Sequence, residues 1–245
     1  MSSLLSRTFA VLFFVASIVF QAEIIQAQHN QTAPQSAQKH HHHADANKDL
    51  TPQMVIDDLK AGNKRYVANN LTSRNHEASH RDIPGGQHPE AVILSCIDSR
   101  VLVEDIFDKA IGDLFVGRVA GNIVNTDLLG SMEYGCKVTG SKLILVLGHE
   151  SCGAVKSAID KVEMGNITAL LAKINPAIES SAGFDGEHNI DNHAYVEHVT
   201  HQNVMHTVEQ IRAGSPILKE MEDKGEIRIL GAYYSLQSGE VIFFE

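Results

Sequence analysis

Short runs of branched apolar residues alternate with amphipathic stretches from Thr51 to the end of the chain. Residues 91–96, 114–119 and 143–147 are almost continuously apolar, the pattern of parallel strands buried on both faces. Thr51 and Pro52 predict the cap and first residue of a helix that carries "QMVIDDLKAGNKRYVANN". Further helices are predicted over 103–109, 126–138, 167–180 and 194–212, the second of them capped by Asn125 or Thr126. "EIRILGAYYSL" and "EVIFFE" predict a closing strand pair joined around Ser238 and Gly239. The alternation predicts an α/β domain over 49–245, with a mainly parallel central sheet flanked by helices.

The first 48 residues read differently. Arg7 and the apolar run "FAVLFFVASIVF" predict a signal peptide over 1–27, cleaved after Ala27 or, second best, after Ala22. The run is short for an uncleaved anchor, the competing reading. Residues 28–48 hold almost no large apolar side chains and predict a disordered linker. Its His40–His43 tract is either a solvated tail or a collector of metal ions. An exported protein, periplasmic or secreted, is the expectation, with no stable membrane span after cleavage.

Composition narrows the partners. A formal net charge of -10 excludes a phosphate-backbone ligand, which calls for a basic face. Three cysteines are too few, and an odd number, for a disulfide framework in an exported chain. Coordination to a metal would protect such thiols. Cys136 has helical surroundings and reads as a small buried hydrophobe.

The chemistry concentrates at two strand ends. "AVILSCIDSRVLVED" runs from an apolar strand straight into Cys96, Asp98 and Arg100, and extended backbone would put those three on one face. "KLILVLGHESCGAV" ends in the same way, in His149 and Cys152. Carboxyl ends of parallel strands are where open α/β sheets place their sites. Two thiolates and an imidazole make a three-ligand Zn²⁺ set with a fourth position open. Gly153 lets the backbone approach closely, and a helix beginning near Ala154 would favour the Cys152 thiolate. Asp98 would orient a metal-bound hydroxide, and Arg100 would keep Asp98 ionised.

"CIDSR" followed about fifty residues later by "GHESC" resembles the β-class carbonic anhydrases. The similarity runs from about Leu50 to the C-terminus and includes "IFDKAIGDLFVGRVAGNIV", "GSMEYG" and "GAYYSLQSGEVIFF". It implies zinc held by Cys96, His149 and Cys152, and a catalytic pair Asp98 and Arg100. It also implies a closed state in which Asp98 itself ligates the metal. Phe115, Tyr134 and Gly153 match positions lining the carbon dioxide pocket. The implied reaction is reversible hydration of carbon dioxide to bicarbonate and a proton. The implied assembly is a homodimer or dimer of dimers, paired edge to edge, with the N-terminal helical arm packed on the partner. The chain has no tryptophan, which some members use to build a second, inhibitory bicarbonate pocket. Two other functions compete: hydrolysis of carbon disulfide or carbonyl sulfide on the same scaffold, and zinc buffering outside the cell, suggested by the His40–His43 tract.

Overall fold

A computed structural model describes residues 47–74 and 87–244. The signal-peptide expectation and the His40–His43 tract lie outside the described residues. Folded structure is already present at Asn47, whose buried amide donates to the carbonyl of Pro89 at 3.0 Å.

Five strands form one sheet: β1 (Ala91–Ser95), β2 (Leu114–Arg118), β3 (Leu143–His149), β4 (Arg228–Tyr234) and β5 (Val241–Phe244). Their spatial order is β2-β1-β3-β4-β5; the first four are parallel and β5 runs antiparallel to β4. The expected mainly parallel sheet is what forms, and β4 and β5 are the expected closing pair.

Period-two alternation explains why the central strands carry apolar residues at nearly every position. On β1, Ala91 and Ile93 join one core while Val92 and Leu94 join the other. On β3, Leu143, Leu145 and Leu147 face the first core, and Ile144 and Val146 the second. Helices α1 (Pro52–Val67) and α2 (Val103–Ile106) cover the first face through Val55, Ile56, Leu59, Val103 and Ile106. The second face is covered by α3 (Thr126–Glu133), α7 (His193–Gly214) and α8 (Pro216–Asp223). A full side chain such as Ile93 or Leu145, wholly buried here, contributes about 1.5–3 kcal/mol. α7 can lie this close because β3 and β4 offer glycines beneath Val204. A Cβ on Gly148 would stand 2.5 Å from Val204 Cγ2, and one on Gly231 2.6 Å from Val204 Cγ1.

Several elements differ from their sequence expectation, each for a local reason. The helix expected over 103–109 stops at Ile106, and Asp108 turns the chain with φ +51°. The helix expected over 126–138 is α-helical to Glu133 and then widens to a π turn over Tyr134–Val138. The helix expected over 167–180 is two: α5 (Gly165–Leu171) and α6 (Asn175–Ser180), with Pro176 in the first turn of α6. Proline has no N–H to continue an incoming helix, which is why the break falls there. Between β3 and α5 lies α4 (Gly153–Ile159), close to the start expected at Ala154.

Candidate metal centre

The register of the sheet brings the two motifs together. Ser95, the last residue of β1, pairs with Leu147 of β3, so Cys96 leaves its strand level with the end of its neighbour. β3 continues two residues further, to His149. Ser151, at φ +53°, then reverses the chain and sets Cys152 at the cap of α4. Cys96 Sγ, Cys152 Sγ and a ring nitrogen of His149 consequently lie within 4.8 Å of one another, all buried. A third apolar cluster encloses them, including Ile123, Val155, Leu171, Ile174, Tyr195 and Val199.

Each donor is prepared for a cation. His149 Nδ1 lies 2.9 Å from the carbonyl of Glu150 and can only be donating there, which leaves the Nε2 lone pair free. That Nε2 is buried and has no hydrogen-bond partner among the described residues. Cys96 Sγ accepts the backbone N–H of Gly121 at 3.4 Å. A hydrogen bond from Cys152 pulls the Cys96 thiol down to about 4, while the same bond pushes the Cys152 thiol up. Two sulfurs this close cannot both ionise cheaply unless a cation sits between them. The donor set therefore fits zinc. Cys136, by contrast, is buried among apolar side chains, and burial pushes its thiol up to about 12.

Asp98 and Arg100 meet as expected, but by a different route. β1 ends at Ser95, and residues 99–100 form a turn rather than a continued strand. Asp98 Oδ1 accepts the backbone N–H of Arg100 at 3.0 Å, and the carbonyl of Asp98 accepts the N–H of Val101 at 3.0 Å. The aspartate closes its own turn, a habit of Asp that extended-strand geometry does not anticipate. The guanidinium then grips the same carboxylate in two places, Nε to Oδ1 at 2.9 Å and a terminal nitrogen to Oδ2 at 2.7 Å. These bonds hold the Asp98 carboxyl well below the usual carboxylate range, and the same bonds raise the Arg100 guanidinium. Asp98 Oδ2 stands 3.9 Å from His149 Nε2, beside the position a metal would take.

Arg118, at the end of β2, was not singled out by sequence reasoning. Its Nε donates to the carbonyl of Cys96 at 2.8 Å and a terminal nitrogen to the carbonyl of Asp98 at 2.5 Å. One side chain thus holds both ends of the three-residue segment bearing a ligand and the carboxylate. The position was quoted within "IFDKAIGDLFVGRVAGNIV", but nothing in a single sequence marks this arginine off from a surface one.

Gly153 is exposed directly beside Cys152, and a Cβ there would meet nothing within 4 Å. Phe115 and Tyr134 are placed elsewhere within the chain. Their rings meet edge to face at 6.5 Å and line a cavity of about 640 Å³ with Val92, Gly117 and Met132. Phe115 pairs with Val92, four residues before Cys96, or roughly 13 Å along the strand. The chain does not bring these two aromatics to its own cysteines.

A buried Cys-His-Cys set at the carboxyl edge of a parallel sheet, faced by a clamped carboxylate, defines a metal-dependent α/β enzyme. A family profile described as carbonic anhydrase matches residues 91–241. The chain is 36% identical over 185 residues to carbonic anhydrase 2 of Mycobacterium tuberculosis, covering 75% of this chain and 88% of that one. It is 34% identical over 191 residues to the carbonic anhydrase of Mycolicibacterium smegmatis, with the same coverage. Among solved structures, a tetrameric β-carbonic anhydrase of Sordaria macrospora superposes with TM-score 0.62 at 20% identity, over 78% of this chain and 94% of that one. The Coccomyxa β-carbonic anhydrase in complex with acetazolamide gives 0.60 at 25% identity, over 78% and 82%. The chain belongs to the carbonic anhydrase family, in its β class.

Proposed function

We propose that the protein is an exported zinc enzyme that hydrates carbon dioxide reversibly to bicarbonate and a proton. The observation that carries the reading is the buried Cys96, His149 and Cys152 set with the Asp98 carboxylate held against it by Arg100. Zinc supplies a Lewis acid there that makes water nucleophilic near neutral pH.

The rest is done by the chain. Cys96, Cys152 and His149 Nε2 would hold the ion, and two thiolates would offset its charge, so it would acidify water less than a zinc held by three neutral histidines. Asp98 Oδ2, 3.9 Å from His149 Nε2, is placed to accept a hydrogen bond from a nucleophilic water there and so would orient it toward carbon dioxide. Arg100 keeps Asp98 ionised and aimed. The same carboxylate could itself serve as a fourth ligand, which would be a closed state. Exposed Gly153 leaves room for a small linear substrate beside Cys152. Phe115 and Tyr134 serve the substrate pocket of a second chain paired along the free edge of β2, in a homodimer or dimer of dimers. Export rests on residues 1–27.

Cys152→Ser is expected to purify with less than about a tenth of the wild-type zinc, because hydroxyl is a poor ligand beside thiolate. Metal analysis alongside carbon dioxide hydration and sulfide release on the same samples tests the reading. Sulfide release from carbonyl sulfide without hydration would reassign the reaction. Several labile zinc ions per chain without hydration would make the protein a zinc buffer.

A further inference from the structure

We infer that Asn203 is a positioning residue for the zinc-binding thiolate of Cys96, acting through the backbone of Gly121; the inference rests on the zinc reading above. Asn203 lies on α7, more than a hundred residues from Cys96 in sequence, and is wholly buried. Its Nδ2 donates to the carbonyl of Gly121 at 2.8 Å, and the N–H of Gly121 donates to Cys96 Sγ at 3.4 Å. One bond holds the peptide after Gly121 and the other uses the peptide before it.

Gly121 is the residue whose N–H direction most needs such a hold. It sits at φ +71° and ψ 17° within the short turn Ala120–Asn122, in the left-handed region where glycine alone is unstrained. A side chain there is excluded on steric grounds as well, since a Cβ would stand 2.8 Å from Ile174 Cδ1 and 3.2 Å from Ala154 Cβ. Glycine therefore fits the turn, but its backbone freedom would let the N–H swing away from the sulfur. Asn203 removes that freedom from the far side.

The local hydrogen bonding argues that the Asn203 bond is directional rather than general packing. Asn203 Oδ1 is buried without a partner among the described residues, so the amide keeps one bond there, the one to Gly121, at the cost of an unsatisfied oxygen. Around it α7 presents Thr200, Val204 and Thr207, all buried, and Thr200 bonds back to its own helix through the carbonyl of Val196. Among the described residues of this face, Asn203 is the one that bonds to the turn. A donated N–H withdraws charge from a thiolate and fixes where its lone pairs point. Hydrogen bonds to metal ligands of this kind typically govern affinity by about 10–100-fold.

The test compares full-length wild type with Asn203→Ala and with Asn203→Leu, which keeps the volume while removing the donor. Val208→Ala is the control, a cavity variant on the same helix within the second core. With an NMR-active cadmium isotope in place of zinc, the Gly121 amide proton of wild type should show scalar coupling to the metal through the N–H···S bond. Both Asn203 variants should lose that coupling, release zinc to a chelator about tenfold faster, and shift the thiolate-to-cobalt charge-transfer band of the cobalt form. Val208→Ala should lose stability without any of these changes. A wild-type chain that holds no metal sinks the zinc reading and this one with it. Metal-loaded wild type without the Gly121 coupling sinks the positioning role alone, as do Asn203 variants that match Val208→Ala. Failure of both Asn203 variants to fold would also contradict it, by making Asn203 a residue of the fold.

Discussion

Arg100 gives Asp98 three hydrogen bonds, from its backbone N–H, Nε and a terminal nitrogen. Because these lower the folded-state pKa, Asp98 is charged at every pH above its ordinary value of about 3.9 and is neutralised only below it. It therefore does not titrate in the working range. On the proposed reading, in which zinc-acidified water titrates and Asp98 can close the site, hydration rates should still fall below roughly pH 8. Stopped-flow rates that stay flat from about pH 6.5 to 9 would contradict both. Arg118 carries a second expectation. Arg118→Ala frees the carbonyls of Cys96 and Asp98 together, and should cut kcat by about tenfold or more while the chain still binds zinc. Unchanged kcat would make Arg118 a surface residue. The Cys96, His149 and Cys152 cluster and the Asp98–Arg100 pair were legible because each follows an apolar strand directly. Arg118 and Asn203 were not, since a bond spanning 22 or 82 residues leaves no local pattern.

α1 is tied to the loop after α2 by one carboxylate. Asp108 accepts Arg65 Nε at 2.6 Å, Thr72 Oγ1 at 2.7 Å and the N–H of Thr72 at 3.0 Å. Burial opposes its charge, but the bonds from Arg65 and Thr72 outweigh it and hold the carboxyl below its ordinary value. A lowered folded-state pKa stabilises above the unfolded value of about 3.9 and is lost as pH falls through the folded one. Asp108→Asn should cost about 1–3 kcal/mol at pH 7, and less as the pH drops below 4. Denaturant melts at pH 7 and near pH 3 would show it, and an equal loss at both would refute it. Strand positions were readable from apolar runs because both faces of β1 and β3 are buried. Helix ends were less so: the turn after α2 depends on Asp108, whose partners lie 36 and 43 residues earlier. α8 was missed although Ser215 caps it through the N–H of Leu218 and Pro216 opens it, signals visible in "SPILKEMED".

The third apolar cluster closes around the donor set, so metal should stabilise the fold as well as the chemistry. Free zinc at 1,000 times its dissociation constant would add about 4 kcal/mol, or on the order of 10 °C in a chain of this size. Chelation should lower the melting temperature by that amount and re-addition should restore it. On the proposed reading of a homodimer or dimer of dimers, sedimentation should return an even-numbered assembly. The most direct measurement takes wild type and Asp98→Ala from one preparation and determines zinc per chain and carbon dioxide hydration rate together. One zinc per chain in both, with hydration in wild type and a loss of about 100-fold or more in Asp98→Ala, is the predicted result. Zinc-loaded wild type that fails to hydrate carbon dioxide, or an Asp98→Ala protein as fast as wild type, would contradict it.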